Sequence, residues 1–132
     1  MEPFLPGLNT HSAVRFTSRP GWLLAETNTL TGPRDATLAC WATVVEECQR
    51  RHCDKVVVVQ NKPSSLTCFD MYDLMERLQA MKPPGLKVAF VDLHPDRRAV
   101  GEFGETVAVN RGLSARYFDN VPAAEAWLGA AL

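Results

Sequence analysis

Four consecutive valines, Val56 to Val59, constrain this chain more than any other stretch. β-branched side chains are stiff at χ1 and suit a pleated strand. An unbroken run of them has no polar face, so the strand must be covered on both sides, as in a parallel sheet. Candidate covers lie to either side in sequence. Leu38, Trp41, Ala42, Val45 and Cys48 recur at helical spacing, with Glu46, Glu47, Arg50 and Arg51 mostly off that stripe, which predicts a helix over residues 34–52. Met71, Leu74, Met75, Leu78 and Met81 form a second stripe, ended by Pro83-Pro84-Gly85. Thr67 and Asp70 stand where a capping box would open this second helix, with Asp in place of the usual Glu or Gln.

The remaining elements follow the same alternation. Residues 13–17 alternate apolar and polar, and residues 22–27 read as a second strand across the Arg19-Pro20-Gly21 turn, an antiparallel hairpin. Thr31-Gly32-Pro33 reads as the entry to the first helix, since proline loses nothing at the first helical position. Residues 87–93 form another buried strand. Pro95 opens a third helix with Val100, Phe103 and Val107 on its stripe and Gly112 as its terminator. Gly101 and Gly104 weaken that helix by about 1 kcal/mol each relative to alanine. Residues 115–118 are a last strand, and Asp119 or Asn120 caps a closing helix carrying Val121, Ala124, Trp127 and Leu128. The order β-β-α-β-α-β-α-β-α predicts a single α/β domain: a mostly parallel mixed sheet with an N-terminal antiparallel hairpin and about four helices. Residues 1–12, with two prolines and a glycine, read as a loosely ordered arm ahead of a domain over 13–132.

Composition limits the function. A net charge of −1 supplies no basic excess for nucleic acid. No stretch reaches the roughly 20 apolar residues of a membrane span. The N-terminus lacks the basic start and apolar run of a signal peptide, so a cytoplasmic location is expected. There Cys40, Cys48, Cys53 and Cys68 are expected to be free thiols.

Several strings then match a known pattern. They are Leu30-Thr31-Gly32 at the first helix, Leu86 to Asp92, Phe103 to Gly112, Arg116-Tyr117-Phe118-Asp119, and Ala123 to Leu128. With the element order, they resemble the SpoIIAA-like, STAS-type domains of bacteria over roughly residues 13–132. The resemblance implies a SpoIIAA/STAS-like fold and a non-catalytic regulatory or protein-interaction module with no cofactor. It also implies a partner protein or self-association, and a free edge strand in such a sheet would suit a dimer. Family members of the anti-sigma-factor-antagonist type are switched by phosphorylation of a serine where the third strand meets the second helix, in an Asp-Ser-[Ser/Thr]-Gly context. That place is Leu66 to Asp70 here; it has no Asp-Ser and no following glycine, and leaves Thr67, Ser64 and Ser65 as the hydroxyls nearby. Some SpoIIAA-like proteins also resemble the CRAL-TRIO lipid-transfer fold, which implies an alternative: a small-molecule, anion or lipid-binding domain.

Parallel α/β sheets bind ligands at the carboxyl ends of their strands. Asn61, Ser64, Ser65 and Thr67 follow one strand there, and Asp92, His94, Arg97 and Arg98 follow the next, where a helix start with arginines would suit an anion. Cys48 and His52 share a helix face at the spacing of two metal ligands, with Cys53 beside them and Cys68 or His94 needed to complete a site. Cys48 also continues the apolar stripe, and packing is the reading taken. Cys68, in a first helical turn, would have a lowered thiol pKa, but no base can be paired with it by sequence. Glu102 and Glu105 share a helix side, and an ion pair with a nearby arginine such as Arg111 is expected in preference to acid–base work. Trp22, Trp41 and Trp127 read as core. A response-regulator receiver is rejected, because Thr17-Ser18-Arg19 ends the first strand without acids. No catalytic constellation emerges, and no metal is expected.

Overall fold

A computed structural model describes residues 14–27, 34–60, 67–81 and 85–129, with the side chains of 34–38 left aside. The arm at 1–12, the Thr31-Gly32-Pro33 entry, Pro83-Pro84, and Asn61, Ser64 and Ser65 lie outside the described residues. The elements are β1 (Val14–Arg19), β2 (Trp22–Thr27), α1 (Arg34–Arg50), β3 (Lys55–Gln60), α2 (Cys68–Met81), β4 (Lys87–Asp92), α3 (Arg98–Asn110), β5 (Ser114–Phe118) and α4 (Val121–Gly129). A 3₁₀ turn, Pro95–Arg97, precedes α3. Proline therefore opens the helical path as expected, but the α-helix proper starts three residues later.

The five strands lie in chain order, β1-β2-β3-β4-β5. β1 is antiparallel to β2, through a tight turn whose Gly21 takes a φ of 95° that glycine adopts without cost. The other pairings are parallel. The valine run is central, as its lack of a polar face requires. Adjacent parallel strands joined by crossovers of one hand put their connecting helices on one face. Accordingly α1, α2 and α3 pack on the Leu23, Ala25, Val56, Val58 and Val88 side. The opposite side, with Leu24, Val57, Val59, Ala89 and Val91, is covered by α4 through Ala124 and Leu128. Trp41 is core, while Trp22 and Trp127 flank the α4 side.

Helix ends are fixed by local chemistry. Thr67 N–H donates to Asp70 Oδ2 at 3.0 Å and Asp70 N–H to Thr67 Oγ1 at 3.1 Å, the reciprocal capping box expected from the sequence. Asn120, rather than Asp119, caps α4, accepting from Ala123 N–H at 2.8 Å. α3 ends with Gly112 at a φ of 78° and Leu113 N–H returning to the Ala108 carbonyl at 2.9 Å. α1 ends the same way, but His52 takes the left-handed position at φ 53° and Cys53 N–H bonds the Cys48 carbonyl at 2.9 Å.

Gly101 and Gly104 cost α3 helical propensity and return close packing. A Cβ on Gly101 would lie 2.3 Å from Tyr117 Cδ1, and one on Gly104 would lie 2.8 Å from Met71 Cγ. The two glycines let α3 sit tightly against β5 and α2.

Candidate functional site

Side chains alternate faces along a strand, so residues of one parity share a face. On the face under α1–α3 the apolar series runs inward from Leu23 and Ala25, Val56 and Val58, and Val88 and Phe90. The next residue of that parity ends each strand, and each is polar: Thr27, Gln60 and Asp92. Register puts them in one row, Thr27 beside Gln60 and Gln60 beside Asp92. They are the buried polar side chains among the described residues, 0%, 1% and 3% exposed. Three polar residues thus close the carboxyl end of an otherwise apolar layer.

Two of the three are engaged. Cys40 Sγ donates to Thr27 Oγ1 at 3.8 Å. Burial pushes the Cys40 thiol pKa up, and the Thr27 contact offsets part of that rise. Asp92 Oδ1 accepts from His94 N–H at 3.0 Å and lies 2.8 Å from His94 Nδ1. The Tyr117 hydroxyl donates to the Asp92 carbonyl at 3.5 Å. Burial raises the Tyr117 pKa, and the Arg98 guanidinium works against that rise. Gln60 is different. Among the described residues, neither its Nε2 nor its Oε1 has a hydrogen-bond partner. A buried amide in that state costs about 1–3 kcal/mol.

Gln60 lines a cavity between the sheet and the three helices. Phe90, Ala115 and Tyr117 supply its sheet wall, Trp41 its α1 wall, and Met71, Leu74 and Met75 its α2 wall. Val100, Gly101, Gly104 and Glu105 close it from α3, and Asp92, Arg97 and Arg116 also contribute. The cavity is small, about 30 Å³, room for about two water molecules at roughly 10–15 Å³ each.

The residues singled out by sequence fall in separate places. His94 is held against Asp92 at the edge of this region, and Arg97 lines the cavity. Arg98 does not join them: it pairs with Asp119, and with Glu102 at 3.6 Å, on the β5 side. Asp119 is held below the usual carboxylate range by the Asn120 amide and by Arg98. Glu105 binds backbone, accepting from Tyr117 N–H at 2.8 Å, and Arg111 pairs with Glu76 at 3.8 Å instead of with Glu102 or Glu105. Thr67 is exposed and committed to its cap.

Cys48 is fully buried in the core, with its thiol pushed up to about 12 by burial and by Cys53, while His52 is exposed. Cys53 donates to the Lys55 carbonyl at 3.1 Å. Among the described residues, no group of three or more His, Cys, Asp or Glu side chains is placed to hold a metal ion. No helix among them is long and apolar enough to cross a membrane.

Reading the sequence by its valine run and its loops passes over Gln60, which ends the strand beyond Val59. Its signal is parity: Gln60 shares the face of Val56 and Val58, so its amide points into the core rather than to solvent. Comparison with protein-family models, with curated proteins and with solved structures finds no match to this chain.

Proposed function

We propose that this chain is a non-catalytic binding domain that holds a small, mainly apolar molecule between the sheet and α1–α3. The observation that carries this reading is the Gln60 amide, buried, without a partner and lining an apolar cavity at the carboxyl ends of the parallel strands. A mainly apolar pocket with a few convergent polar groups is the usual form of a small-molecule site. Methionine is the adaptable residue of apolar cores, and Met71 and Met75 give the α2 wall room to yield.

The reading keeps the STAS-type resemblance as an expectation of fold and of regulatory use. The test is a native mass spectrum of the protein from its own host, beside the denatured mass and an NMR titration of the Met71 and Met75 methyls with small aromatic probes. A native mass excess lost on denaturation supports the reading. A bare chain whose methyls ignore every probe refutes it.

A second reading, docking of a partner protein, is supported by α2's outer surface, where Phe69 is 72% and Tyr72 47% exposed. Apolar groups displayed this way are common at interaction surfaces. Affinity capture from host lysate with wild type and Phe69→Ser tests it; a captured band unchanged by the substitution refutes it.

A further inference from the structure

Resting on the ligand-binding reading, we propose that the cavity selects a small, uncharged molecule bearing a hydrogen-bond donor and acceptor side by side on one group, such as a primary carboxamide or the edge of a lactam. The Gln60 side chain carries the complementary pair. Its Nε2 donates and its Oε1 accepts, both are buried, and among the described residues neither is used. A single ligand group satisfies both atoms at once when it accepts and donates side by side, the two-point recognition that glutamine makes with an adenine edge. A carboxylate would use Nε2 alone and leave Oε1 bare, with the buried Asp92 in the next strand. An ammonium would use Oε1 alone. The charged residues at the walls, Asp92, Glu105, Arg97 and Arg116, are two of each sign and select neither ion.

The lining favours an aromatic body. Trp41 and Phe90, with ring centroids 5.9 Å apart, and Tyr117 give the cavity aromatic walls. Aromatic rings favour offset or edge-on contact with another ring. Gly101 and Gly104 present bare backbone on the α3 side, where side chains would meet Tyr117 and Met71.

Three probes of similar size test the inference: benzamide, with donor and acceptor; acetophenone, with an acceptor only; and toluene, with neither. Binding is read by NMR at the Trp41 indole and the Met71 and Met75 methyls, on wild type and on Gln60→Leu. In wild type benzamide is expected to bind at least about tenfold more tightly than toluene, which forgoes both hydrogen bonds, and about fivefold more tightly than acetophenone, which forgoes one. In Gln60→Leu that preference is lost and toluene binds at least as well as benzamide.

Equal binding of all three to wild type overturns the headgroup inference and leaves the cavity reading standing. So does a benzamide preference that survives in Gln60→Leu. No binding of any probe to wild type overturns both. The wild-type ranking alone decides the matter if the variant does not fold.

Discussion

Gly101→Ala offers the sharpest check on how α3 is seated. Alanine in place of glycine inside an exposed helix gains about 1 kcal/mol. Here the new Cβ would lie 2.3 Å from Tyr117 Cδ1, 2.5 Å from Cε1 and 3.0 Å from Cγ. The first distance is about 1.2 Å short of an ordinary carbon–carbon contact of roughly 3.5 Å. The ring cannot easily retreat: Tyr117 is buried on β5, its N–H is bound to Glu105, and its hydroxyl reaches the Asp92 carbonyl. Overpacking of this kind costs about 1–3 kcal/mol. Set against the propensity gain, the variant is expected to be less stable by up to about 2 kcal/mol. Gly104→Ala is the milder comparison, because the nearest atoms its new Cβ meets belong to the unbranched Met71 side chain, Cγ at 2.8 Å and Sδ at 2.9 Å. Met71 repacks more readily than a tyrosine ring, so that change is expected to cost less than Gly101→Ala. Urea unfolding of all three proteins, with slopes compared, measures the order. A Gly101→Ala protein more stable than wild type, or a Gly104→Ala protein hurt more than Gly101→Ala, would refute the reasoning.

Other outcomes follow from the same structure. Gln60→Leu removes a buried amide without a partner, and urea unfolding should show it about 1–3 kcal/mol more stable than wild type; a loss of that size would mean the amide is satisfied in solution. At Glu47 burial works to raise the carboxyl pKa, but the Arg51 and Arg50 guanidiniums outweigh it and hold the value low. A carboxyl lowered on folding stabilises above its unfolded pKa and loses that stabilisation as pH falls through the lowered one. Glu47→Gln should therefore be less stable near neutral pH by up to about 1 kcal/mol, and its unfolding midpoints should converge with wild type in acid. Native-state alkylation with iodoacetamide, followed by peptide mass mapping, should label the exposed Cys68 first and reach Cys40 and Cys48 only on unfolding.

The elements were legible because their periods are clean. The valine run, the Leu74–Leu78 stripe and the Gly112 terminator each state their structure locally. The Thr67–Asp70 box did so even with the shorter acid. What failed to show was any relation made by the fold rather than by the local chain. Gly101 and Gly104 looked like defects of a helix, because the Tyr117 ring that needs Gly101 bare is 16 residues away and the Met71 side chain that crowds Gly104 is 33 away. Arg98 looked like a neighbour of His94 and Arg97, and only the β5 crossover brings Asp119 to claim it. Gln60 was hidden differently. Its parity was readable, but a polar residue between a valine run and a loop passes for the first residue of the loop. Only the register that sets it between Thr27 and Asp92 makes its burial plain.

The Glu105 contact with Tyr117 has a consequence for growth of the sheet. An edge strand can recruit another strand because its outward N–H and carbonyl groups are open. On β5 the Tyr117 N–H is already taken by a carboxylate from α3, so an incoming strand must first displace Glu105. β1, at the other end of the strand order, has no neighbour on its outer side among the described residues. The two ends of the sheet are therefore unequal. If this chain associates through its strands, β1 is the less obstructed edge among the described residues.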